Sequence, residues 1–275
     1  METVILGAKG MLGQALAAAF AAWEPVLWDR RDLDITDGNA VQVRLQELAP
    51  ELIINAAAYT DVDGAEDNRT MAYLVNEAGV RNIARTANEI GAIVVHYSTD
   101  YVFSGEQEFG YREDEPSGPP VNAYGASKLA GERVLAEELP EHYLIRTAWL
   151  YGAGGKNFVD TMLQLGREKR ELRVVNDQHG NPTYAADLAR ATFRLLDEEY
   201  DPDVYHLVNR GVTTWYDLAS EIFRQASMQV KVVPVTSAEF SRPAKRPPYS
   251  VLRNTHGPIM RQWDKALYDY IATVV

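Results

Sequence analysis

The chain has 275 residues, with 27 Lys+Arg against 39 Asp+Glu for a formal net charge of −12, and it contains no cysteine. That length suits one large domain or two interlocked smaller ones. The acidity argues against nucleic acid as the main partner, and the missing cysteines exclude disulfides, thiolate metal ligation and Cys nucleophiles. The longest apolar run, Ala15 to Trp23, is far short of the roughly 20 residues that cross a membrane. A strand pattern begins by Thr3, leaving no room for a signal peptide. The expectation is a cytoplasmic protein.

In chain order, Thr3–Leu6 reads as a strand, Met11–Ala22 as a helix and Pro25–Trp28 as a second strand. A helix from about Asn39 ends before Pro50, Leu52–Asn55 is a third strand, and a long helix spans about Met71 to Ile90. Ala92–Ser98 is the fourth strand, Ala123–Glu138 a helix and Tyr143–Thr147 the next strand. Strands alternating with helices predict βαβ units, right-handed crossovers and a parallel sheet covered on both faces. Beyond Tyr151 the regularity loosens. Asn157–Arg170 and Ala185–Glu199 read as helices, and Thr214 with Asp217 forms a capping box for a helix to about Ala226. The proline-bearing stretch Arg242–Pro258 reads as a loop laid over something else. The expected fold is α/β: a Rossmann-type doubly wound parallel sheet over residues 1–150, then a smaller α/β substrate domain over residues 151–275. Some elements of the second half are expected to return to the first.

Gly7, Gly10 and Gly13 follow the first strand directly and open a helix. The first permits the tight turn, the second lets backbone approach a pyrophosphate, and the third allows close helix–sheet packing. The helix N-terminus supplies free N–H groups for the phosphates. Asp29, at the end of the second strand, is placed to accept from adenosine ribose hydroxyls. Arg30 and Arg31 follow at once, and a guanidinium there suits a 2′-phosphate. The balance leans to NADPH, with NADH as the alternative.

Tyr124 and Lys128 stand four apart on a helix, so both project from one face. Reducing a ketone by hydride needs a proton donor at its oxygen, and a nearby ammonium favours the phenolate of a tyrosine. Ser98 and Thr99 close the fourth strand at its carboxyl end, the side on which such sheets bind ligands. A hydroxyl there can hold the substrate oxygen against the tyrosine.

A glycine loop, a strand-end hydroxyl and a Y-x-x-x-K pair, in that order, resemble the extended short-chain dehydrogenase/reductase superfamily. More closely, GAKGMLG (7–13), NAAAYTDVDGAE (55–66), HYSTDYVFSG (96–105), NAYGASKLAGE (122–132), RTAWLYG (146–152), NDQHGNPT (176–183) and RPPYSVL (246–252) resemble the dTDP-4-dehydrorhamnose reductase family. The resemblance implies a catalytic trio of Thr99, Tyr124 and Lys128, acting on the C4 keto group of a 4-dehydro-6-deoxy sugar nucleotide. It implies cofactor contacts at Gly7, Gly10, Met11, Leu12, Gly13, Asp34, Ile35, Ala57, Ala58, Thr60 and Lys128. Thr99, Val102, Tyr124 and Trp149 would meet the sugar, and Arg246 its diphosphate. Tyr101 stands where related dehydratases carry a glutamate, so the elimination base is missing and reduction is favoured. Gln14 and Ala15 stand where some reductases of this family bind a metal that links a dimer. No metal is therefore expected, and the chain is taken as a monomer or homodimer. Tyr249 stands where the family usually has Asn. Two other readings remain: a reductase or epimerase of another sugar nucleotide, and a non-catalytic dinucleotide-binding subunit like that of methionine adenosyltransferase.

His96 reads as a core histidine, and Asp61, Asp63, Glu66 and Asp67 as a solvated acidic loop. Residues 242–275 hold six Lys+Arg against two Asp+Glu, which suggests a basic clamp for a diphosphate.

Overall fold

Six parallel strands carry the site in the computed structural model, which describes residues 1–275. Strands β1 (Thr3–Leu6), β2 (Val26–Trp28), β3 (Leu52–Asn55), β4 (Ile93–Thr99) and β5 (Tyr143–Thr147) come from residues 1–150. The short strands β6 (Leu150–Tyr151), β7 (Glu171–Val175), β8 (His179–Gly180) and β9 (Thr183–Tyr184) follow, then β10 (Val204–His206), β11 (Thr213–Thr214) and β12 (Lys231–Val235). The main sheet runs β10-β5-β4-β3-β1-β2, with every pair parallel. From β1 the chain first steps to one side, to β2, and then to the other, to β3. Between β1 and β3 the crossovers diverge, opening a crevice at the carboxyl ends of the strands.

The helices are α1 (Met11–Ala19), α2 (Gly38–Leu48), α3 (Gly64–Asp67), α4 (Arg69–Tyr73), α5 (Gly79–Ile90), α6 (Ala123–Glu138), α7 (Phe158–Glu168), α8 (Ala185–Asp197), α9 (Trp215–Gln225) and α10 (Trp263–Val274). Alternation along the strands divides them between two faces. Val4, Leu6, Ile53 and Val94 pack with Val41 of α2, Ile83 of α5 and Leu135 of α6. Ile5, Ile54, Val95 and Ile145 pack with Leu16 of α1 and Leu188 of α8. Each such side chain contributes about 1.5–3 kcal/mol on burial. A separate core joins α7, α9, α10, β7 and β12. A small cluster of Val102, Phe103, Tyr111, Leu129, Ala148, Val208 and Leu252 joins the two halves beneath the site. No helix is long and apolar enough to cross a membrane.

Several elements differ from the sequence reading. The first helix stops at Ala19 and tightens to a 3₁₀ turn over Ala21–Trp23, ending on left-handed Glu24. Pro25 disfavours helical backbone at the residue before it. The long helix over 71–90 is broken: Leu74–Ala78 forms a π turn that sinks Asn76 into the interior. Asn76 bonds both Tyr59 N and Tyr59 O, and also Ser127 Oγ. The parallel pair β7–β12 is a further element beyond the sequence pattern, with Pro234 inside β12. Helix α10 and strand β10 were also not anticipated; β10 has only three residues.

Candidate active site

Gly7 adopts φ +75°, and a Cβ there would lie 2.7 Å from Ala57 N, so the turn after β1 touches the loop after β3. A Cβ on Gly13 would fall 2.2 Å from Gly7 O, whereas one on Gly10 would meet only Gly7 O at 3.3 Å. The first and third glycines are thus needed by the fold, while the second is less confined, with one tight contact to the backbone of the turn. Gly10 caps α1 without a side-chain bond, and the first turn carries no acidic residue. Free N–H groups and a positive helix end suit a pyrophosphate at this point. Met11 borders Gly152 and Gly155, while Leu12 is buried in the core beneath.

Ala57, Ala58 and Thr60 form the far wall, held by Ala57 N–H donating to Asn55 Oδ1 and by the Asn76 clamp on Tyr59. Asp34 accepts from Thr36 and Arg30, and Ile35 is buried against Gly79. Asp29 pairs with Lys9 and accepts from Arg31 N–H at 2.6 Å. Those bonds, Lys9 foremost, hold its carboxyl below the usual range. Lys9 is a residue the sequence reading left without a role, although it lies inside the glycine loop. With Arg30 and the exposed Arg31, it gathers three cations near the end of β2.

Thr99 ends β4. Its hydroxyl donates to Asp100 Oδ1 at 2.8 Å and accepts from Tyr101 N–H at 3.2 Å, capping the 3₁₀ turn Asp100–Val102. Helix α6 is capped by Asn122, whose Oδ1 accepts from Gly125 N–H at 2.7 Å and whose Nδ2 donates to Lys245 O at 2.8 Å. A Cβ on Gly125 would lie 2.2 Å from Tyr101 O. Glycine therefore lets α6 rest on the turn after β4. Tyr124 meets Tyr101 edge-on, with ring centroids 6.0 Å apart. Lys128, one helical turn on, is 2% exposed.

Burial pushes the Tyr124 phenol up to about 12, while the adjacent Thr99 hydroxyl pulls it down. This departs from the expectation that the lysine lowers it. The Lys128 amine instead donates to Tyr97 O at 2.6 Å and lies 3.4 Å from His96 Nε2. Tyr124 is thus kept protonated, the state a proton donor needs. Burial pushes Lys128 itself down to about 8, with the Glu132 carboxylate pulling up. Asp100, which the sequence reading passed over, is pushed up to about 7 by burial, against the pull of the Ser250 and Thr99 hydroxyls. Its Oδ2 has no hydrogen-bond partner, and neither has Ser98 Oγ. Polar atoms left unpaired in a buried site are available to a ligand. The one signal for Asp100 in the sequence was its place between Thr99 and Tyr101.

Val102 is fully buried in the cluster beneath the site. Trp149 has φ +45°, and its ring stacks on Trp215 at 3.6 Å and 6°. Gly180 makes room for it, since a Cβ there would lie 2.5 Å from the Trp149 ring. The 246–252 stretch runs between Tyr111 and His179, with bridges Tyr111–Leu252 and His179–Tyr249. Arg246 donates to Asp63 Oδ1 and Ala244 O, both at 2.6 Å, and Arg242 also binds Asp63. Asp63 is held well below the usual carboxylate range, chiefly by Arg246. Glu66 accepts from Ala123 N–H at the start of α6. Asp63 and Glu66 are therefore ties to other segments, while Asp61 and Asp67 are exposed as a solvated loop would have them. The charge of the tail is likewise largely answered inside the protein, since Arg261 pairs with Asp187 and Asp269.

A family model described as the RmlD substrate binding domain matches residues 1–275. A dTDP-4-dehydrorhamnose reductase from Streptomyces griseus is 42% identical over 96% of this chain and 91% of its own. The crystal structure of a dTDP-4-dehydrorhamnose reductase from Clostridium acetobutylicum has 43% identity and a TM-score of 0.96, covering 100% of this chain and 99% of its own. That of the Bacillus anthracis dTDP-4-dehydrorhamnose reductase, in complex with NADP, has 40% identity and a TM-score of 0.95 over 99% of this chain and 100% of its own.

Proposed function

Because this chain belongs to the dTDP-4-dehydrorhamnose reductase family, we propose that it reduces the C4 keto group of dTDP-4-dehydro-L-rhamnose with NADPH, giving dTDP-L-rhamnose. It is an oxidoreductase with a sugar-nucleotide substrate. The observation that carries this reading is the meeting of Thr99 and Asp100, at the end of β4, with Tyr124 and Lys128 of α6, beside a glycine cradle at the switch point.

The cradle fits a dinucleotide because Gly10 leaves the uncapped N-terminus of α1 free of any side chain, while Gly7 and Gly13 are needed by the fold. The backbone at Gly10, Met11 and Leu12 would hold the pyrophosphate. Asp29, with Arg30, Arg31 and Lys9, would hold the adenosine ribose and its 2′-phosphate. Gly7 and Gly13 would shape the cradle, Asp34 and Ile35 would lie near adenine, and Ala57, Ala58, Thr60, Tyr124 and Lys128 would follow the chain to the nicotinamide ribose. When bound, NADPH supplies the hydride. Tyr124 gives its phenolic proton to the C4 oxygen as that oxygen gains negative charge. The Thr99 hydroxyl, turning from Asp100, would donate to the phenolate left behind. Val102 and Trp149 would border the sugar, and Arg246, anchored on Asp63, would offer its remaining N–H groups to the diphosphate. The formal charge of −12 supports a small-molecule partner rather than nucleic acid. We infer a cytoplasmic enzyme, working as a monomer or homodimer, with residues 1–150 mainly binding cofactor and 151–275 mainly binding sugar.

The test is NADPH oxidation on adding dTDP-4-dehydro-L-rhamnose, compared with UDP- and GDP-linked keto sugars. Tyr124→Phe is expected to lower kcat by about 10²–10⁴-fold while NADPH still binds. Full turnover by that variant would overturn the mechanism, and preference for another nucleotide would overturn the substrate.

A further inference from the structure

Beneath the catalytic helix, hydrogen bonds run in series, and a backbone group fixes their direction. Ala57 N–H donates to Asn55 Oδ1 at 3.1 Å, so the other end of that amide is its NH₂. Parallel pairing sets Asn55 beside His96, and Asn55 Nδ2 donates to His96 Nδ1 at 3.0 Å. Both side chains are 1% exposed. A neutral imidazole that accepts at Nδ1 carries its proton on Nε2. That Nε2–H points at Lys128 Nζ, 3.4 Å away.

Two N–H groups cannot share one hydrogen bond. If the lysine is an amine, its lone pair accepts a hydrogen bond from the imidazole N–H. If it is an ammonium, it faces the positive end of an N–H dipole. Either way, the imidazole favours loss of the lysine proton.

We infer that His96, aimed by Asn55, is a positioning residue whose Nε2–H weakens the hold of Lys128 on its proton. This rests on the reductase reading above. Each reduction takes one proton from Tyr124, and the site must be reloaded; a lysine that releases its proton readily suits that task. Burial of Lys128 acts in the same direction. The other ionisable groups around the lysine are few. Glu132 lies one turn on along α6 and is engaged with Arg146 of β5 at 2.8 Å. Tyr124 stands on the same helix, with Asp100 in the turn after β4. His142, before β5, acts on His96, whose own protonation is suppressed by burial, Lys128 and His142.

Nitrogen-15 NMR of the histidine-labelled full chain reads the tautomer directly. His96 is expected to stay neutral, with Nδ1 bare and Nε2 protonated, from about pH 6 to about pH 9. The opposite tautomer, or an imidazolium in that range, would overturn the inference without any variant. In His96→Phe, which removes the Nε2–H, the alkaline limb of the kcat profile is expected to move up by about one pH unit, a tenfold tighter hold on the proton. KM for NADPH is expected to hold. An unmoved limb, even with a lower kcat, would reduce His96 to packing. If wild-type protein turns over no keto sugar, the functional reading fails separately, because the tautomer is measured without turnover.

Discussion

At the scale of single residues, the glycine loop separates folding from binding. Gly10→Ala adds a Cβ that meets one atom at 3.3 Å, whereas Gly13→Ala places one 2.2 Å from a backbone oxygen. The first variant is expected to melt within a few degrees of wild type while its NADPH Kd rises about tenfold or more. The second is expected to lose about 1–3 kcal/mol or fail to fold. Melting curves and cofactor titration of the two would check this. Asp100 gives a pH prediction. Burial pushes its carboxyl up to about 7 from an ordinary 3.8, so the native state keeps a proton the unfolded chain releases. Stability therefore falls as pH rises from about 4 to about 7, and the full penalty remains above that. Asp100→Asn removes this penalty. It is expected to stabilise the protein at pH 8 and to leave it unchanged near pH 4, as urea unfolding at both values would read. An equal gain at both would point to packing instead.

At the scale of elements, α6 matters most, because it carries both Tyr124 and Lys128. It is seated through glycines: a Cβ on Gly125 would strike Tyr101 O, and one on Gly131 would lie 2.1 Å from Asn76 O in the π turn. Its cap, Asn122, also holds Lys245 O, so one side chain ends the helix and fastens the late loop. Asn122→Ala is expected to lower stability by about 1–2 kcal/mol. It should also raise KM for the sugar nucleotide more than KM for NADPH, since the loop it frees carries Arg246, which is proposed to meet the diphosphate. Steady-state kinetics varying each substrate would separate these effects. A change in KM for NADPH alone would count against it.

At the scale of the whole molecule, the two halves are joined by strand β10 in the main sheet, by the small core under the site and by ionic ties. Asp63, in the loop after β3, holds Arg242 and Arg246 of the late segment. Its carboxyl is held below the ordinary range, so this stabilisation is present above the usual carboxylate pKa and is lost as pH falls below it. The pair is partly exposed, and screening limits its worth to about 1 kcal/mol. Asp63→Asn is expected to change the melting temperature little at pH 7 but to make the 242–246 stretch sensitive to limited proteolysis. KM for the sugar nucleotide should rise, because Arg246 loses its anchor. An unchanged KM would show that the tie serves stability alone.

Much of this was legible in the sequence by itself, because it is written in local pattern. The alternation of apolar strands and helices, the glycine spacing after β1, the Thr214 cap and the four-residue spacing of Tyr124 and Lys128 all depend on near neighbours. Their geometry follows from the periodicities of strand and helix. What only the tertiary structure decided lies between segments far apart in the chain. Sequence does not place Asn55 against His96, and His96 against Lys128. Nor does it show that Asp63 meets Arg246, or that Trp149 stacks on Trp215. Burial, fixed by packing of the completed fold, sets how tightly Tyr124, Lys128 and Asp100 hold their protons. The sequence named the chemical groups, and the close-packed, low-dielectric interior set the charge states in which they work.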